Sequence, residues 1–399
     1  MALVYAIINK ETLLHICSSK KVSTDFIINK TKLNAAKVPL WLDTTNPALP
    51  TIKQAKTLAA CLHIPFAGLY MNPGDIPLKS IPNIKNLRTL QGAAAPDDSS
   101  LNIAMVDVLL ERDFLISANT EFGRTAPIFS PNVPNETDPV KWAQAIRAQF
   151  SIDLGAQYKC PSSRQFYLYL RNCIENNGVF VHCFVDVPIE TARGIAIYES
   201  LLPIIGINDE DRPPAKSFTL IHELVHLFKR ESSLCNDMNN TEKTAKEEIF
   251  CNAVAGELLV PAQALRIILR EHQFLAPYSV NDIQKIASRF SVSREVIIRR
   301  LLDMGEIDAI EYDTYADLFN QEIEQERERQ RIAREQGIKI GPSKNISREA
   351  VDRTSPSVSK LLYHGLSEEV YSKQDIARHL NIDQRHIDKF LVEVSKWIK

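Results

Sequence analysis

Two histidines four residues apart with a glutamate between them, His222, Glu223 and His226, are the residues of this chain best placed to do chemistry. A helical pitch of 3.6 residues stacks positions i and i+4 on one face, so His222 and His226 can hold one ion between them. Glu223 is turned about 100° away. From there it reaches water beside the ion rather than the ion itself, the placement a general base needs. The flanks Ser217-Phe218-Thr219-Leu220-Ile221 and Leu227-Phe228 are apolar, as are Leu224 and Val225 inside the motif, so the helix is expected to be buried. Two imidazoles and a carboxylate in such surroundings are costly unless a cation compensates them, which sets a metal pair against the simpler reading of a structural histidine pair.

A catalytic zinc takes three protein ligands and leaves one position open, so a third ligand must follow. The stretch Thr241 to Pro261 reads as a second helix, capped by Thr241 or Asn240 and stopped by Pro261. Glu248, Asn252, Ala255 and Leu259 share one of its faces. Glu248 is the expected third ligand, with Asn252 one turn on as a group that holds a ligand or the helix pair in register. Glu247 is the rival ligand, on a face with Cys251 and Leu258, and its simpler role is a solvated charge. Cys251 reads as a small packed residue. Imidazole and carboxylate donors make zinc the expected ion.

These residues resemble the ImmA/IrrE family of zinc metallopeptidases. The resemblance runs through Pro203-Ile204-Ile205-Gly206-Ile207-Asn208, then Ser217 to His226, then Glu248 to Pro261, which follow the family's strand ending in Asn, its FTLAHELGH-like phrase and its E-x-x-x-N-x-x-A-x-x-L-L-x-P helix. Val225 stands where the family has a small Gly, and the family's Arg ahead of the Phe-Thr-Leu run is displaced to Arg212. The resemblance implies a zincin-like core and a zinc endopeptidase that cuts a helix-turn-helix repressor or antitoxin.

The chain has 399 residues, 45% hydrophobic and 24% charged, which fits a soluble protein of two or three domains. A net charge of −2 gives no global attraction to nucleic acid, although a local basic face remains open. Its seven scattered cysteines, without a C-x-x-C pair, argue for a reducing cytoplasm and against a disulfide frame or zinc ribbon. Neither a signal-length apolar segment nor a membrane span is expected, so the protein is placed in the cytoplasm.

Residues 1–92 read as short helices over Lys10–Ser18, Ser23–Thr31, Ala35–Leu42 and Thr51–Leu62. The phrase from Leu49 to Ala59, followed by Ile64-Pro65 and Leu69-Tyr70, resembles the C-terminal half of an Xre-type helix-turn-helix domain. Its expected recognition stretch, Thr31 to Leu42, is poor in Arg, so base reading and a protein-docking or purely structural role are equally open. Lys20, Lys21, Lys30, Lys32 and Lys37 would suffice for phosphate contacts, or simply form a solvated face.

Pro73 to Ser100 reads as a linker. In the peptidase domain, 93–305, helices are expected at Met105–Arg112, Asp138–Phe150 and Arg164–Asn176, and strands at Gly178–Val185, Gly194–Tyr198 and Leu202–Ile207. Lys229 to Asn240 reads as a polar loop that reverses the chain or walls the cleft. Residues 283–297 have helix-turn-helix spacing, read as a scaffold element. Residues 306–399 are read as a helical extension with a charged helix, Asn320 to Gln336, a joint from Gly337 to Pro356, and a second helix-turn-helix-like stretch from Ser372 to Ile387.

The fold class is therefore α+β: a zincin-like core of about three strands packed on helices, between helical N- and C-terminal domains. The expected function is zinc endopeptidase action on a helix-turn-helix repressor or antitoxin, with DNA contact through the N-terminal domain possible. His222, His226 and Glu248 hold the metal and Glu223 moves the proton. Tyr198, His182 and Arg212 are open as oxyanion-stabilising groups. The alternative is a regulator or toxin–antitoxin component that uses the same fold to sense or bind without cutting.

Overall fold

The computed structural model describes residues 4–76, 98–126, 128–235, 242–338 and 345–398. The expected cap of the second metal helix, Asn240 or Thr241, and most of the expected linker lie outside the described residues.

The first four helices are α1 (Lys10–Ser19), α2 (Thr24–Thr31), α3 (Val38–Leu42) and α4 (Ile52–Cys61). They enclose a small core around Leu13, Ile16, Ile27, Trp41 and Leu58. Asn9, Ser23 and Thr51 cap α1, α2 and α4 with their side chains, which explains why the chain turns where it does. The stretch from Thr31 to Leu42 is helical in part. Lys32 adopts a left-handed conformation that ends α2, and between it and Leu42 the helical residues are the five of α3. Lys20 is not available for phosphate: it is buried, and its ammonium donates to the Leu62 carbonyl at 2.8 Å. Lys30 pairs with Asp186 at 3.4 Å.

A long helix, α5 (Ser99–Glu121), replaces the short one expected at Met105–Arg112. Then come α6 (Pro139–Phe150), α7 (Leu154–Lys159) and α8 (Ser163–Glu175), followed by the strands β1 (Phe180–Phe184), β2 (Gly194–Ile197) and β3 (Ile204–Asn208). Next are α9 (Pro213–Phe228), which carries the two histidines, β4 (Ser233–Cys235) and α10 (Glu242–Leu259). The sheet order is β1-β3-β2-β4, with β1 parallel to β3 and the other pairs antiparallel. The fold is α+β as expected, with β4 adding a fourth strand inside what reads as a loop.

Alternation along the strands sends successive side chains to opposite faces. Val181, Cys183, Ala196, Ile205 and Ile207 join α9 and α10 in one large core. Phe180, Phe184, Ile195, Ile197 and Ile204 face the other way, toward α5. After α10 come α11 (Ala262–Glu271), α12 (Val280–Phe290), α13 (Arg294–Asp303) and α14 (Ala309–Glu335), then α15 (Ile346–Arg353), α16 (Pro356–Ser367), α17 (Lys373–His379) and α18 (Ile387–Ile398). The last four share the core of α5 and the sheet, through Val351, Val358, Leu361, Ile376 and Phe390. The unit α12–α13, with a left-handed Ser291 at its turn, belongs instead to the core of α9 and α10.

Side chains from three elements secure the C-terminal end of α10. Arg147 of α6 donates to the Leu258 carbonyl at 2.9 and 2.6 Å, Gln157 of α7 to Leu259 at 2.9 Å, and Arg300 of α13 to Val260 at 3.1 Å. Arg300 also pairs with Glu257. These donors satisfy carbonyls that the end of a helix leaves open, and two of them bring positive charge to its negative pole. Among the described residues no single helix is long and apolar enough to cross a membrane.

Candidate metal centre

Helix α9 is buried from Ser217 to Phe228 except for the partly exposed Phe218, so His222, Glu223 and His226 have almost no contact with solvent. Pro213 and Pro214 start the helix, where their missing N–H groups cost nothing. Helix α10 packs alongside, and its buried Cys251, Val254, Ala255 and Leu258 sit in the same core as Leu220, Leu224 and Val225.

This packing brings His222, His226 and Glu248 together, with one ligand atom from each within 4.8 Å of the others. The His222 and His226 Nε2 atoms are 3.2 Å apart. Glu248 Oε2 lies 3.1 Å from His222 Nε2, and its Oε1 lies 3.4 Å from His226 Nε2. A tetrahedral ion with bonds of about 2.0–2.1 Å keeps its ligand atoms roughly 3.3 Å apart, so the three donors have the spacing that zinc requires. The two facing ring nitrogens are also within hydrogen-bond distance of each other, where one ring can donate and the other accept. Burial works against a charged His226, yet Cys251, Glu231 and Glu248 raise its pKa well above the ordinary histidine value. Burial likewise works against an ionised Glu248, and the two imidazoles outweigh it, holding that carboxyl below the usual range.

Asn252 Oδ1 lies 3.0 Å from His222 Nδ1, one turn past Glu248, where it can take the ring proton and leave Nε2 free as a donor atom. Glu247 is not part of this cluster. It reaches toward Lys229 at 4.0 Å, on the solvent side. Cys251 is packed as expected, but its Sγ also lies 3.9 Å from His226 Nδ1.

Glu223 is fully buried. Its Oε2 accepts a hydrogen bond from Ser233 Oγ at 2.8 Å, while Oε1 has no partner among the described residues. Burial raises its pKa above the ordinary glutamate value, and the imidazoles of His226 and His222 and the Ser233 hydroxyl counter only part of that. Room for the carboxylate comes from Gly194. A Cβ there would lie 2.4 Å from Thr219 Cγ2 and 2.8 Å from Glu223 Oε1. Neither Ser233 nor Gly194 was identified from sequence; the only trace is a Gly opening a strand and a Ser in a polar segment.

The three oxyanion candidates part company. His182 is on the wrong face of the sheet: its neighbours Phe180 and Phe184 belong to the α5 core, its ring stacks on Phe180 at 5.9 Å, and burial lowers its pKa. Arg212 is exposed at the start of α9, ten residues ahead of His222 and so about 15 Å along the axis. Tyr198 ends β2 on the α9 side and is partly buried against that core, with its backbone N–H donating to Ser232 Oγ at 2.9 Å. Of the three, only Tyr198 stays on the face that carries the cluster.

No curated protein matches the chain. Residues 188–302, from just ahead of β2 to the last turn of α13, match the Peptidase_M78 family model, the IrrE N-terminal-like domain, which supports the ImmA/IrrE metallopeptidase resemblance over the segment that holds the cluster.

Proposed function

We propose that this protein is a cytoplasmic zinc-dependent endopeptidase whose substrate is a specific protein partner, a helix-turn-helix repressor or antitoxin, and that cleavage relieves transcriptional repression. The observation that carries the reading is the convergence of His222 Nε2, His226 Nε2 and the Glu248 carboxylate at spacings of 3.1–3.4 Å, with Glu223 beside them. The peptidase family match over the same residues supports it.

Zinc, when bound by those three side chains, supplies Lewis acidity that polarises a peptide carbonyl and makes water a better nucleophile at neutral pH. The chain's own residues do the rest. Asn252 fixes the tautomer of His222, so that Nε2 is the donor atom. Ser233 occupies one oxygen of Glu223 and leaves Oε1 as the acceptor for a proton from the attacking water. Glu223 then returns that proton to the leaving amine. Its burial matches this role, because a carboxyl with a raised pKa holds a proton more readily than an ordinary glutamate.

The test is co-expression with a short helix-turn-helix protein encoded beside this gene. The wild type should shorten that partner, and Glu223→Gln should leave it whole. Equal loss with both variants would show that this site does not cut it and would favour a regulator that binds without cleaving.

A further inference from the structure

His226 has its metal-facing nitrogen placed by Glu248 and His222, but what orients the far side of its ring is a separate question. The answer lies in how α9 ends. Arg230 adopts a left-handed conformation, φ 59°. Its N–H donates to the Leu227 carbonyl at 2.9 Å, and the N–H of Glu231 donates to the His226 carbonyl at 3.0 Å. This pair of bonds is the Schellman closure, which turns the chain back over the last turn of the helix. The turn thereby sets Glu231 above the residue whose carbonyl it bonds, and its Oε2 comes within 3.9 Å of His226 Nδ1. Lys229 Nζ, 3.0 Å from the same oxygen, steadies the carboxylate.

We infer that Glu231 is a positioning residue of the metal centre: its carboxylate takes the Nδ1–H of His226 and so holds the ring with Nε2 toward His222 and Glu248. The inference rests on the metal reading proposed above. Closing the 3.9 Å separation to a hydrogen bond needs a shift of about 1 Å, available to a side chain that is one-third exposed. The competing acceptor is Cys251 Sγ, also 3.9 Å from Nδ1. A thiol is a weak acceptor and an ionised carboxylate a strong one, so Glu231 takes the proton. The two histidines are then served from opposite sides: His222 by Asn252 of α10, His226 by the turn that closes its own helix.

The experiment measures the affinity of the full chain for Zn2+ by competition with a chromophoric chelator, beside thermal melting of the zinc-free protein. Glu231→Ala and Glu231→Gln should bind zinc about 10- to 100-fold more weakly than wild type, with Glu231→Asp recovering part of the loss. Melting of the zinc-free variants should match wild type, which a merely structural role would not allow. Cys251→Ala should bind zinc nearly as wild type does. Zinc binding by Glu231→Ala within about twofold of wild type, or a Cys251→Ala defect as large as that of Glu231→Ala, would overturn the assignment while leaving the metal centre standing. A wild type that takes up no zinc would overturn both. Should Glu231→Ala fold poorly, nitrogen NMR of the zinc-loaded wild type decides: a slowly exchanging proton on His226 Nδ1 supports the assignment, and an unprotonated Nδ1 sinks it.

Discussion

Ser233 Oγ donates to Glu223 Oε2 at 2.8 Å, linking the short edge strand β4 to the helix that carries both histidines. Ser233 itself is buried, and Ala196 of β2 is its partner in the sheet. The bond therefore ties the orientation of Glu223 to the pairing of a three-residue strand. On the proposed function, Ser233→Ala should reduce cleavage of the partner by roughly tenfold, as expected for about 1.5 kcal/mol from one lost hydrogen bond to a charged group. Zinc content should not change. The check is cleavage rate measured beside metal analysis, and an unaltered rate would remove Ser233 from the account.

Gly194 faces the same carboxylate. Gly194→Ala places a methyl group 2.4 Å from Thr219 Cγ2 and 2.8 Å from Glu223 Oε1. Overpacking of this kind costs about 1–3 kcal/mol, so denaturant unfolding should report a stability lower by that amount. On the proposed function, cleavage should fall further than the stability loss explains, because Glu223 itself is displaced. A variant as stable and active as wild type would show that the strand moves away at no cost.

Zinc should stabilise the wild type and not the ligand variants. At a free zinc concentration about 100 times the dissociation constant, the gain is roughly 2.7 kcal/mol. It would be seen as a higher melting temperature on adding zinc and a fall on adding chelator. Glu248→Ala and His226→Ala should lose that response, whereas Glu247→Ala, outside the cluster, should keep it. A Glu247→Ala variant that loses the response would transfer the ligand role to the rival carboxylate.

Asp209 gives the pH dependence a definite sign. It lies just ahead of α9, with Lys216 Nζ at 2.7 Å and Arg353 of α15 on its other oxygen. Burial alone would raise its carboxyl, but the two cations outweigh burial and hold it below the ordinary aspartate value. A depressed folded value means that the contribution to stability is complete above the unfolded value of about 3.9 and is lost as pH falls through the lower folded value. Asp209→Asn should therefore cost roughly 1–3 kcal/mol at neutral pH, and the gap to wild type should close in acid. Urea unfolding at several pH values measures it; a gap that persists unchanged below that window would contradict the pairing.

The parts of the centre that could be read from the chain are those fixed by helical geometry. His222 and His226 lie one turn apart on any helix, and Glu248 and Asn252 repeat that spacing on the next, so residue order alone aligned them. Ser233 and Gly194 are positions set by packing between distant strands. The segment around Ser233 is polar and only three residues long as a strand, which leaves no local periodicity to detect. The same limit explains His182. Its strand could be recognised, but which face of the sheet meets α9 is decided by β3 and α5, far away in sequence. Helix α5 was underestimated because its buried positions run nearly all round it, including Leu101, Ile103, Ala104, Met105, Val106 and Val108, and so blur the amphipathic stripe that marks a helix in sequence.

Helix α15 lies inside the stretch from Gly337 to Pro356 that reads as a joint, and the extension beyond it was legible as helical but not as part of the sheet's covering. Their role has a practical corollary. A shortened chain ending after α13 would keep every residue of the metal cluster yet strip a major part of the roof from Phe180, Phe184, Ile195, Ile197 and Ile204. Greasy sheet surface laid open in this way invites self-association, so the piece that carries the His–His–Glu cluster is poorly suited to life apart from its tail.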